Sequence, residues 1–140
     1  MQGGKTNNND TVTDTVTVTF TQTESYTWEV PASITAGAAA PTEDNVKASN
    51  VYIPYGKTLT ISITSGLNDG KITLADTASG ASSNTVQATV TFEGVSVNAG
   101  TTAGGGAKLS VAEPESVTKA GTYSGTLTFT AAVVDQTASN

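Results

Sequence analysis

From Thr11 to Thr23 every odd position is threonine, while Val12, Val16, Val18 and Phe20 occupy even ones. Alternation with period two puts one residue set on each face of an extended chain, so this pattern predicts a strand with an apolar and a hydroxyl face. Threonine suits the outer face, since its branched Cβ favours extended backbone and its hydroxyl tolerates water. Asp14 interrupts the apolar set, so the first residues are expected at a rim or hanging free. Tyr26, Trp28 and Val30 continue the even phase as far as Pro31.

The same alternation recurs downstream. Leu59, Ile61 and Ile63 lie between Thr58, Thr60, Ser62 and Thr64; Val86, Ala88, Val90 and Phe92 lie among Thr85, Thr89 and Thr91. Tyr123, Leu127 and Phe129 alternate with Thr122, Ser124, Thr126, Thr128 and Thr130. Shorter strands are expected at Val51–Ile53, Ile72–Leu74, Val95–Val97 and Lys108–Val111. At Gly94 the apolar phase slips from even to odd, which marks a bulge or bend. Asn68-Asp69-Gly70 is a hairpin signal, because all three residues tolerate the positive φ of a primed turn. Ser79–Ser83 and Gly100–Gly106 read as loops. Ala32–Pro41 is the one stretch where a helical turn is expected, kept short by Gly37 and Pro41. About eight strands without an amphipathic helix predict an all-β, two-sheet antiparallel sandwich.

The chain has 140 residues, enough for one domain with its own core. Residues 1–10, ending in Asn7-Asn8-Asn9-Asp10, read as a flexible arm, 11–135 as the sandwich and 136–140 as a tail. Met1-Gln2-Gly3-Gly4-Lys5 lacks the apolar core of a signal peptide, and Met1 is read as a start placed before a mature sequence whose leader was removed. Charged residues are only 13%, and the balance is made up by Thr, Ser, Ala, Gly and Asn. The six basic residues are all lysine, and the net charge is −6. That balance speaks against nucleic acid, whose binding needs clustered cations, and against anionic membrane surfaces. No apolar run approaches the roughly 18 residues that cross a bilayer, so no membrane insertion is expected.

Cysteine and histidine are both absent, which removes disulfides, thiolate or imidazole metal sites, and the usual nucleophile–base pairs. Gly104–Ser110 is a poor phosphate loop, because its Lys108 does not follow a glycine and it leads into a strand. Asp76-Thr77-Ala78-Ser79-Gly80 has no second copy to form a carboxylate dyad, so a turn is expected. Glu43, Asp44, Asn68, Asp69, Glu113 and Glu115 fall in loops without calcium-loop spacing. A strand-linking Lys–Asn isopeptide bond lacks its residues: the first strand has Asp14 but no lysine, and Tyr123–Val134 has neither lysine nor asparagine. Threonine arrays of this kind can bind ice on a flat sheet, but they are spread here over several strands of a sandwich that twists. No cofactor, metal site or catalytic activity is expected.

Tyr26-Thr27-Trp28-Glu29-Val30-Pro31, the stretch Lys47–Ile61 and the ending Lys119–Thr130, which contains Ala120-Gly121-Thr122-Tyr123-Ser124-Gly125-Thr126-Leu127-Thr128-Phe129, carry a resemblance. They resemble immunoglobulin-like β-sandwich domains of secreted and surface proteins of Firmicutes. The resemblance implies an immunoglobulin-like fold, an extracellular or cell-surface location and a structural or adhesive role. It brings no functional residues with it. Two binding modes are expected. The strand carrying Val12, Val16, Val18 and Phe20 follows a flexible arm and is suited to joining a neighbour's sheet. Alternatively, Tyr52, Tyr55, Trp28 and Asn50 form a glycan contact. The partners are then other surface proteins, copies of the chain itself, or glycans.

Overall fold

The computed structural model describes residues 11–136. The expected arm at 1–10 and all but the first residue of the expected tail lie outside them. Eleven strands follow in order: β1 (Ser25–Glu29), β2 (Val46–Tyr52), β3 (Lys57–Ser65), β4 (Leu67–Asn68), β5 (Lys71–Asp76), β6 (Thr85–Thr91), β7 (Val95–Asn98), β8 (Gly105–Ala107), β9 (Ser110–Val111), β10 (Tyr123–Ser124) and β11 (Thr128–Asp135). The architecture is all-β, every pairing is antiparallel, and no helix occurs among the described residues. The helical turn expected within Ala32–Pro41 is an irregular loop, pinned by the Gly37 N–H bonding to the Val111 carbonyl at 2.9 Å.

The strands fall into three hydrogen-bonded sheets where two were expected: β1-β2-β8, β11-β3-β7, and β10-β5-β6-β9 with β4 on β5. The extra division arises at the corners. At Gly94 (φ 86°) the chain leaves β6 in one sheet and enters β7 in another, which is the phase slip visible in the sequence. The β4–β5 hairpin closes at Asp69 and Gly70, with φ of 55° and 78°, as a primed turn requires.

Two adjoining cores result. Val46, Ala48 and Val51 of β2 face Leu59 and Ile61 of β3 and Val95 and Val97 of β7, with Leu109 beside them. A second core joins Ile72 and Leu74 of β5, Val86 and Ala88 of β6, and Val111 of β9. Val90 and Leu127 pack against both and join them. Opposite the first core, threonines of β3 and β11 bond across strands: Thr64 Oγ1 and Thr130 Oγ1 are 2.9 Å apart. Among the described residues two salt bridges, Lys47–Glu29 and Lys57–Asp135, each lie between directly opposed residues of a strand pair.

Three expected strands come out differently. Thr11–Thr23 belongs to no ladder. Alternation assigns side chains to faces, but a strand also needs a neighbouring edge, and among the described residues this segment joins no ladder. The strand expected at Lys108–Val111 breaks at Lys108 and Leu109, because Leu109 is bonded through both backbone groups to the side chain of Asn45. The long closing strand divides at Gly125–Leu127, where the chain passes from β10 in one sheet to β11 in another.

Candidate functional site

Val16, Val18 and Phe20 are 86%, 88% and 83% exposed, and Val12 is exposed as well. The segment runs into β1 through Thr21-Gln22-Thr23-Glu24, without a glycine, proline, asparagine or aspartate to turn it back. Its clearest side-chain bonds are local: Asp14 Oδ1 accepts from the Thr15 N–H at 2.9 Å, and Gln22 Nε2 donates to the Thr23 carbonyl. Three apolar side chains on one face of an extended backbone are therefore presented to solvent. Isolated exposed apolar residues are ordinary on protein surfaces, but a regular row of them is a candidate contact surface.

The aromatic candidates do not form one stacking face. Trp28 lies opposite Ala48 and shares its inner face, whereas Tyr52 lies opposite Ser25 on the outer side. Tyr55 stands fully exposed in the turn between β2 and β3, and Asn50 sits at φ 51° in an irregular stretch of β2. Tyr26 instead packs against the core from β1, an edge strand, and Trp28, two residues on, remains 37% exposed.

Asp76 is 9% exposed and its bonds are structural. Its Oδ1 accepts from the Ala78 N–H and its Oδ2 from Asn84 Nδ2, both at 2.9 Å. The second Asn84 amide hydrogen reaches the Tyr123 hydroxyl at 3.0 Å, and that hydroxyl donates to the Lys119 carbonyl at 2.6 Å. The network ties the approach to β10 onto the β5–β6 loop. The Ala78 N–H, and after it the Asn84 amide, hold the carboxyl below its ordinary 3.8, against a smaller effect of burial.

A carboxyl whose folded pKa is lowered adds stability above its unfolded value, and that stability is lost as pH falls through the folded one. Asp76→Asn should lower Tm at neutral pH, and the gap to the parent should shrink as pH drops below 3.8. Thermal unfolding across a pH series checks this; a constant gap would show that the ionised form adds nothing.

Glu113 and Glu115 line a shallow groove of about 400 Å³ with Lys71, Thr85, Gln87 and Thr89. Among the described residues, no three acidic side chains converge as a metal site would need. No helix there is long and apolar enough to cross a membrane.

Comparison with protein families, with characterised proteins and with solved structures finds no match to this chain. The alternating pattern by itself singles out Val12, Val16, Val18 and Phe20. Two features escape sequence reasoning: the Asn45 clasp on Leu109, and the edge position of β11. Both depend on contacts remote in sequence and leave no local signal.

Proposed function

We propose that this chain is a non-catalytic structural module of an extracellular or cell-surface assembly, and that it joins copies of itself through residues 11–24. One observation carries the reading: the most regular alternating segment of the chain lies outside its own sheets, with Val16, Val18 and Phe20 in water. Addition of such a segment to another chain's sheet satisfies its backbone groups and buries its apolar row together. An immunoglobulin-like sandwich with hydroxyl-rich outer faces and a net charge of −6 suits a module repeated at high density, since like charge keeps unjoined faces apart.

The test compares the full chain with Val16→Asp/Val18→Asp/Phe20→Asp by light scattering and negative-stain microscopy over a wide concentration range. The parent should form concentration-dependent oligomers or fibres. The variant should stay monomeric with an unchanged Tm, since exposed substitutions usually alter stability by about 0.5 kcal/mol or less. A parent that is monomeric throughout overturns the reading.

A further inference from the structure

The two sides of the first core are bounded differently. On one side, β7 lies against both β8 and β2, so the sheets β11-β3-β7 and β1-β2-β8 meet. The strands at the far ends of these sheets are β1 and β11, and no ladder among the described residues joins them. Both present apolar side chains toward the core. On β11, Phe129, Ala131 and Val133 lie opposite Ile63, Ile61 and Leu59 and share their inward face. All three remain only half-buried, although the β3 residues Leu59 and Ile61 beside them are sealed. On β1 Tyr26 packs against the core and Trp28 lies opposite the buried Ala48, while Phe92 meets Phe129 edge-on at 5.5 Å between ring centroids.

Among the described residues β11 is thus an edge strand of eight residues, with one flank of backbone groups outside any ladder and an inward apolar row at positions i, i+2 and i+4. Residues 11–24 carry the complementary row, Val16, Val18 and Phe20, at the same spacing. Extended, the stretch Val12–Phe20 spans about 27 Å and strand β11 about 24 Å. In the monomer neither feature covers the other: the row is exposed and the inward face of β11 is only half-sealed.

Resting on the self-assembly proposed above, we infer that the acceptor is the slot between β1 and β11 of a second copy, filled by residues 11–24 running along β11 with Val18 opposite Ala131. Alanine at the centre of the acceptor row leaves room for the incoming valine. Phe20 and Val16 then meet the two ends of the row, Phe129 and Val133, in an order set by strand direction. Asp14, the one charged residue of Val12–Phe20, falls beyond the match at the rim. The outward threonines of the incoming segment extend the hydroxyl face formed by Thr64 and Thr130. Every copy both offers a segment and holds a slot, so the contact is head-to-tail and propagates into a filament or closes into a ring.

The chain has no cysteine, which makes directed disulfides clean reporters. With Val18 opposite Ala131, a parallel pairing sets Thr17 against Thr130 and an antiparallel pairing sets Thr19 against Thr130. All three threonines are exposed, so each tolerates cysteine. The full-length double variants Thr17→Cys/Thr130→Cys and Thr19→Cys/Thr130→Cys are oxidised under native conditions and run on non-reducing gels. One of the two should give a ladder of covalent dimers, trimers and higher species, abolished by adding Val18→Asp. A cross-linked monomer of altered mobility would place the segment on its own β11 and overturn the second-copy acceptor. Parent assembly by light scattering without cross-linking in either variant would overturn the slot and leave self-assembly standing. Absence of any assembly would overturn both.

Discussion

Gly104→Ala should destabilise the domain by about 3–5 kcal/mol, the range reserved for substitutions that break a specific structural requirement. Gly104 opens the β8 hairpin arm at φ 89°, and a Cβ placed there would sit 1.9 Å from the Ala48 carbonyl oxygen. That carbonyl belongs to β2 where Ala48 pairs with Gly105, so the clash has no flexible side chain to absorb it. Relief requires β8 to move off β2, which opens the side of the first core that β7 and β8 close. Gly100 serves as the control. It has φ 100°, and a Cβ added to it would meet nothing within 4 Å. Gly100→Ala therefore carries only the backbone strain of about 1–2 kcal/mol. Urea unfolding of both variants checks the claim. Equal losses would show that contact with Ala48 does not matter.

Asn45→Ala should cost about 2–4 kcal/mol by leaving two backbone groups without partners. Leu109 is 3% exposed and belongs to the first core, yet it sits in the break between β8 and β9. Asn45 supplies what a strand would have: its Oδ1 accepts from the Leu109 N–H at 2.7 Å and its Nδ2 donates to the Leu109 carbonyl at 3.0 Å. Truncation strands both groups where water reaches them poorly. Asn45→Asp separates the two bonds. Its carboxylate still accepts from the N–H but faces the carbonyl with a like dipole, so an intermediate loss is expected. Unfolding free energies in which Asp equals Ala would assign the whole effect to the lost donor.

The core strands were legible for a local reason. Each alternating run, such as Leu59–Ile63 or Val86–Val90, declares its inward face within a few residues, and the central members of those runs are buried. The Asn68–Gly70 turn was equally local, since positive φ is a property of the residues themselves. Legibility failed where a backbone group is satisfied from far away. Lys108–Val111 alternates well enough for a strand, but the bond from Asn45 lies 64 residues back in the chain. The candidate site divides in the same way. Val16, Val18 and Phe20 were visible as a row, whereas Phe129 was visible only as an apolar member of the closing strand, because nothing in its spacing tells an edge strand from a central one.

By itself the sequence determined the class of the fold, the inward face of most strands and the hairpin turn, together with the absence of thiol and imidazole chemistry. All of these follow from residue type and period-two spacing, which act over a few residues. Only the tertiary structure decided which strands are neighbours, how three sheets share two cores, and which edges stay open. Pairing is chosen by competition among edges across the whole chain, and alternation is the same for every competitor. That is why the most regular strand pattern in the molecule, Thr11–Thr23, is the one its own sheets leave out.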